Sequence, residues 1–191
     1  MKKIGVLALQ GAFVEHIQFL RKLDVDALSV RLPQELEGLD GLVIPGGEST
    51  AIAKLMQSYN LTKTIQELVS CGLPVFGTCA GMILLSKSAS QLNSERIGAI
   101  DIEVTRNAFG RQIDSFETDI PIPSLGERAF HAVFIRAPLI TKTGPGVEIL
   151  ARLEDGVSVA ARQGKVVVCA FHPELTDDVR FHRYFLEILA G

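Results

Sequence analysis

One cysteine of the chain stands in a setting that the other two lack. Pro74-Val75-Phe76-Gly77-Thr78-Cys79-Ala80-Gly81-Met82 is a short apolar run, then Gly-x-Cys-x-Gly, then a stretch of helical length. A strand that turns abruptly into a helix strains its central residue, and glycines two positions to either side remove the Cβ atoms that would collide there. Such a turn presents the sulfur at a helix N-terminus, where unpaired amide donors favour the thiolate, the reactive form. From an ordinary pKa near 8.5, a reduction of about 1.5 units, roughly 2 kcal/mol, makes about half of the thiol nucleophilic at neutral pH. Taken alone, the segment also fits a buried cysteine in a glycine-containing turn. Cys71 and Cys169 lack the paired glycines, and Cys169 sits inside an apolar run, so both read as packing residues.

A base for this nucleophile is available near the other end of the chain, where Val166-Val167-Val168-Cys169-Ala170-Phe171 leads into His172-Pro173-Glu174. At extended spacing residues i and i+2 point to the same side, and Pro173 stiffens the link, so Glu174 can hold the His172 ring and stabilise its cation. On its own this tripeptide could be an ordinary turn; joined to the elbow it completes a Cys79, His172, Glu174 triad. A third element, Leu42-Val43-Ile44-Pro45-Gly46-Gly47-Glu48-Ser49-Thr50, is a strand, a glycine turn and a helix start with Ser49 or Thr50 as N-cap. Its paired glycines let the main chain approach a substrate and aim N–H groups at a developing oxyanion. Gly41 and Gly46 have the spacing of a phosphate loop, but the lysine that should follow is absent and Glu48 would repel phosphate. Arg106, Arg111 and Arg136 could each grip a carboxylate with two hydrogen bonds. His16, His131 and His182 show no paired ligand spacing, so neither a metal nor a cofactor is expected.

Positioning these groups requires an alternating framework. Short apolar runs at Ile4–Leu9, Gly41–Ile44, Pro74–Phe76, Ala132–Ile135 and Val166–Phe171 read as strands. Amphipathic stretches at Ala12–Leu23, Thr50–Tyr59 with Thr62–Ser70, and Ala80–Ser88 read as helices, and Asp177–Ala190 as a closing surface helix. Strand and helix alternating in this way predict an α/β fold of three layers, a mostly parallel sheet with helices on both faces. Gly98–Ala137, with Ile100-Asp101-Ile102-Glu103-Val104 and the turn residues Pro121, Pro123 and Gly126, predicts a small antiparallel or mixed insertion. With no repeat, linker or low-complexity tract, residues 1–191 read as a single domain.

Composition narrows the class. The 191 residues are 47% hydrophobic and 21% charged, with 22 acidic against 19 basic side chains and a formal net charge of -3. A chain of this size can bury roughly 70% of the surface its unfolded form exposes, so no staple is required. Isolated basic pairs in an acidic chain disfavour a nucleic-acid partner. Three widely spaced cysteines suit free thiols in a reducing compartment, the cytoplasm by default. No apolar run approaches the roughly 18 residues of a membrane span, and Ile4–Leu9 is too short for a signal peptide and reads as a buried strand.

Together, Gly77-Thr78-Cys79-Ala80-Gly81, His172-Pro173-Glu174 and Pro45-Gly46-Gly47-Glu48-Ser49 resemble the class I, triad-type glutamine amidotransferases, which are flavodoxin-like. Further segments narrow the resemblance to the glutaminase subunits of pyridoxal 5′-phosphate synthases: Leu9-Gln10-Gly11 with Glu15-His16, Arg106-Asn107-Ala108-Phe109-Gly110-Arg111-Gln112, Asp114-Ser115-Phe116-Glu117 and Phe134-Ile135-Arg136-Ala137-Pro138. It extends from Ile4 to about Leu175, with Gln91–Glu95 and Pro121–Glu127 carrying no signature. The resemblance implies Cys79 as nucleophile, His172 as base and then acid, and Glu174 as its orienting carboxylate. It implies L-glutamine as substrate, held by Gly47, Glu48, Ser49, Arg106, Ile135 and Arg136, with the Gly47 and Ala80 amides as oxyanion hole. It also implies a synthase subunit as partner, in a large hetero-oligomer that builds vitamin B6 with the ammonia released. A glutaminase for another synthase, a noncatalytic interaction module and a cysteine hydrolase with a related elbow are the competing readings. The intact triad disfavours the second, and Pro45–Ser49 the third.

Overall fold

The computed structural model describes residues 1–90, 92, 94–106 and 115–190. In chain order the elements are β1 (Lys3–Leu7), α1 (Phe13–Arg21), β2 (Asp26–Val30), β3 (Gly41–Ile44), α2 (Ser49–Ser58), α3 (Leu61–Ser70), β4 (Val75–Thr78), α4 (Ala80–Leu85) and β5 (Ser86–Ala89). They continue with β6 (Ile100–Thr105), β7 (Ser115–Ile120), β8 (Phe130–Ile135), β9 (Leu139–Thr143), β10 (Glu148–Arg152), β11 (Ser158–Gln163), β12 (Val166–Cys169) and α5 (Arg180–Ile188).

Five strands run parallel in the order β2-β1-β3-β4-β12. All residues of β3, β4 and β12 are buried, because helices cover both faces of this half of the sheet. The alternation along β4 shows which helix lies where. Phe76 stacks on Phe181 and packs on Phe185 of α5, and Thr78 meets His16 of α1, whereas Gly77 faces Leu85 and Gly81 of α4 on the other side. Thus α1 and α5 cover one face; α4 covers the other with α2, against which α3 packs.

Beyond β12 the sheet changes character. β11 is antiparallel to β12, β9 to β11 and β6 to β9, while β5 pairs parallel with β6 and β10 antiparallel with β11. β7 and β8 form a separate antiparallel ribbon. The segment read as a mixed insertion therefore supplies β6 to the main sheet and the ribbon beside it. The helix expected over Ala80–Ser88 stops at Leu85. Ser86 turns extended (φ -66°, ψ 149°), its hydroxyl donates to the Ile83 carbonyl at 2.7 Å, and the chain continues as β5. The closing helix spans Arg180–Ile188 and begins where the Asp178 carboxylate accepts from the Arg180 amide at 3.0 Å.

The carboxyl ends of β1, β3, β4 and β12 lie side by side at one edge, where open α/β sheets bind ligands. Gln10 follows β1, the Pro45–Ser49 turn follows β3, Cys79 follows β4 and His172 follows β12.

Candidate active site

Cys79 joins β4 to α4 with φ 47° and ψ -102°, a conformation that L residues rarely adopt and that costs about 1–3 kcal/mol. Two anchors hold it. Its amide donates to the Cys169 carbonyl on β12 at 2.8 Å, and its own carbonyl accepts from Ile83 at 3.3 Å. The flanking glycines are required by space: a Cβ on Gly77 would come within 2.7 Å of the Gly81 backbone, and one on Gly81 would overlap the Ile44 carbonyl. The Cys79 sulfur lies 3.8 Å from the Ile135 carbonyl.

His172 is pinned by its amide, which donates to the Val133 carbonyl of β8 at 2.8 Å. Its Nδ1 and Glu174 Oε1 are 2.7 Å apart, and both residues are buried. With Nδ1 taken by Glu174, Nε2 is the ring nitrogen left for Cys79, which lines the same cavity. Burial works against the imidazolium, but the hydrogen bonds and charges of Cys79 and Glu174 outweigh it and push the His172 pKa up to about 10. Glu174 is likewise penalised by burial, yet His16 and His172 hold its carboxyl below the usual range. The His172–Glu174 pair is therefore ionised at neutral pH.

The turn after β3 closes the opposite wall. The Gly46 amide donates to Thr78 Oγ1 at 3.0 Å, and the Glu48 amide to Gln10 Oε1 at 2.7 Å. A side chain on Gly46 would overlap the His172 ring, so only glycine lets the turn lie against the imidazole. The N-cap of α2 is Glu48, in place of the expected Ser49 or Thr50. Its carboxylate accepts from the Thr50 and Ala51 amides at 3.0 and 2.7 Å, and those amides hold its pKa down against the opposing effect of burial. Arg106 reaches the same carboxylate at 3.4 Å.

A cavity of about 360 Å³ opens in front of the sulfur. Gly47, Glu48, Ser49, Cys79, Ala80, Arg106, Ile135, Arg136 and His172 all line it, and Glu174 stands behind His172. Ala80 opens α4, so its amide has no acceptor within the helix. Arg136 holds its place with φ 44°. Gln10 and Ile83 also line the cavity and were not marked as site residues from the sequence. Arg111 and the rest of residues 107–114 lie outside the described residues. Cys71 is exposed, while Cys169 is buried and its thiol is pushed well above its usual pKa, chiefly by burial, as befits a packing residue. Among the described residues no group of three or more His, Cys, Asp or Glu side chains could hold a metal ion.

A second polar layer lies behind the first. His16 and His182, which spacing alone left as unrelated histidines, are both fully buried with His16 Nδ1 2.9 Å from His182 Nε2. His16 Nε2 stands 3.1 Å from Thr78 Oγ1. No local pattern could reveal this layer, because its members are brought together only by the packing of α1 and α5 on β4.

A doubly wound sheet that gathers a cysteine elbow and a histidine–carboxylate pair at its carboxyl edge defines an α/β protein with one compact polar site. The family model of the SNO glutamine amidotransferase family matches residues 6–190, and the chain belongs to that family. It is 56% identical over 185 residues to the pyridoxal 5′-phosphate synthase subunit PdxT of Carboxydothermus hydrogenoformans, covering 97% of this chain and 96% of that protein. The subunit of the same name from Herpetosiphon aurantiacus is 56% identical over 186 residues, covering 96% and 98%. A crystal structure of a glutamine amidotransferase superposes with a TM-score of 0.93 at 49% identity, covering 98% of this chain and 99% of that one.

Proposed function

We propose that residues 1–191 form a single glutaminase domain that hydrolyses L-glutamine to L-glutamate and ammonia, and that the ammonia passes to a pyridoxal 5′-phosphate synthase subunit. The observation that carries the reading is the strained Cys79 turn sharing one cavity with an imidazole that Glu174 holds at 2.7 Å. Membership of an amidotransferase family supports the substrate, and the names of the relatives support the partner.

In this mechanism the Cys79 thiolate attacks the side-chain amide carbon of glutamine. The Gly47 and Ala80 amides receive the developing oxyanion, where losing one donor typically costs on the order of 10²–10³ in rate. The His172 imidazolium gives its proton to the departing nitrogen, the C–N bond breaks and ammonia leaves a γ-glutamyl thioester. Neutral His172 then takes a proton from water, the resulting hydroxide adds to the thioester, and the C–S bond breaks to release glutamate and restore the thiolate–imidazolium pair. Glu174 keeps the ring in register throughout. Glu48, Ser49, Arg106, Ile135 and Arg136 hold the substrate in the cavity, with an arginine suited to its carboxylate. Free ammonia is protonated in water, so direct delivery to a second site is what makes this hydrolysis useful. Three free thiols fit the cytoplasm, and among the described residues no helix is long and apolar enough to cross a membrane.

Glutamate release by the purified chain, with and without a pyridoxal 5′-phosphate synthase subunit, tests the reading. Release should rise when the partner is added and vanish in Cys79→Ala, which should still bind the partner. Native-rate release from Cys79→Ala would end the assignment.

A further inference from the structure

His16 takes no part in the chemistry above, does not line the cavity and is entirely shielded from solvent. Its ring nevertheless touches both halves of the site. Nε2 is 3.1 Å from Thr78 Oγ1 and 3.4 Å from Glu174 Oε2, the carboxylate oxygen that His172 does not use. Thr78 Oγ1 in turn accepts the Gly46 amide of the turn that carries Gly47.

The protons can be placed by satisfying donors. Glu174 Oε2 is buried and has no partner with full hydrogen-bond geometry, and His182 Nδ1 has none either. Were His16 protonated on Nδ1, that proton would point at His182 Nε2. The bare Nε2 lone pair of His16 would then face a carboxylate oxygen, and His182 Nδ1 would carry a buried N–H without an acceptor. Protons on His182 Nε2 and His16 Nε2 remove both conflicts, since orphaned buried N–H groups are rare and costly. Burial pushes both histidines below the usual range, so each ring carries one proton at neutral pH.

We infer that His16, with its tautomer set by His182, is a positioning residue whose Nε2–H donates to the Thr78 hydroxyl and turns its positive edge to the free oxygen of Glu174, 3.4 Å away, so that the triad carboxylate and the Gly46-Gly47 turn share one frame. Its effect on turnover rests on the glutaminase reading; the placement of its proton does not. The titratable groups facing Glu174 are His16 of α1, His172 beside it and Cys169 of β12; those facing His16 are Glu174, His172, Glu15 and His182 of α5.

A pair of variants of equal polarity and different reach separates positioning from packing. The amide nitrogen of His16→Gln can stand where Nε2 stands, whereas that of His16→Asn reaches only the Nδ1 position, toward His182. In the complete complex with the synthase subunit, His16→Asn should lower kcat for glutamate release about 10- to 100-fold, the range of a hydrogen bond to a charged group. KM should stay within about twofold of native. His16→Gln should recover most of kcat while melting at about the same temperature as His16→Asn. Where His16→Asn does not fold, His16→Leu takes its place as the variant without a donor at Nε2.

The pH profile of Cys79 alkylation by iodoacetamide, read in a Cys71→Ser background, is the second arm. Loss of the donor should raise the Glu174 pKa and move the acid limb of Cys79 reactivity to higher pH in His16→Asn, with His16→Gln near native. Equal kcat in the two variants, whether native or lost, would overturn the proposal. If the native complex releases no glutamate, the glutaminase reading falls and alkylation alone decides: a shifted profile in His16→Asn that His16→Gln restores supports the frame, and identical profiles refute it.

Discussion

The two sides of the His172 ring look onto unlike surroundings. Toward the cavity lie a strained cysteine, a glycine turn pressed against the imidazole and the open mouth of the site. Away from it lie Glu174, His16, Thr78 and His182, all buried, in a layer sealed by α1 and α5. The front holds backbone strain and open amides, features that favour reaction over stability. The back is dry, so each hydrogen bond there is stronger than it would be in water and each unpaired group dearer. In the proposed mechanism bond making falls to the front and alignment to the back.

Substitution at the boundary between the two sides should have the largest effect. In Gly46→Ala the new methyl group would overlap the His172 ring and sit 3.3 Å from the Cys79 Cβ. Displacing the imidazole by about an ångström should lower glutamate release on the order of 10²-fold, since reacting groups tolerate little misplacement. Full activity would show that the turn moves freely and that the front is not the rigid wall described. Gly38→Ala, where no atom lies within 4 Å of the new methyl group but φ is 69°, is the control for backbone strain alone.

Removing charge from the back should act on rate and, distinctly, on pH. Glu174→Gln keeps the shape but loses the carboxylate that helps to raise His172. We expect the rate to fall at least as far as in His16→Asn, because the amide leaves the ring without its anionic partner and free to take the wrong tautomer. Stability follows with a definite sign. His172 is raised from 6.5 to about 10, so its contribution is complete below pH 6.5 and disappears as pH climbs through about 10. Glu174→Gln should move that alkaline loss, and the alkaline limb of the rate profile, to lower pH. An unchanged alkaline limb would mean that the back does not tune the front.

The front and Glu174 were legible in the sequence and the rest of the back was not, for a physical reason. Gly77, Cys79 and Gly81 answer a local steric demand, and His172 and Glu174 are joined by two-residue spacing in an extended segment. Both signals are short-range. His16 and His182 are 166 positions apart and meet only through tertiary packing. The same distinction applies to the fold. Parallel strands covered on both faces show as apolar runs, whereas β2, with Asp26-Ala27-Leu28-Ser29-Val30 at the sheet edge, shows none. The expected helix over Ala80–Ser88 ran three residues too far because Ser86 caps it with a hydroxyl that periodicity does not register. Glu48 took the N-cap position from Ser49 and Thr50 because its longer side chain folds back onto two amides. Gln10, part of a segment that carried the family resemblance, lines the cavity and accepts from the Glu48 amide, contacts that no spacing rule conveys.

The central claim is that the Cys79 sulfur is the nucleophile and that glutamine reaches it in this cavity. A glutamine-like diazoketone, which alkylates the group that attacks the amide carbon, tests it most directly when the native complex is digested and the modified peptide located by mass spectrometry. One adduct should form, on Cys79, more slowly in the presence of excess glutamine and much more slowly in His172→Ala. An adduct on the exposed Cys71, or labelling of Cys79 that neither glutamine nor the loss of His172 slows, would contradict it.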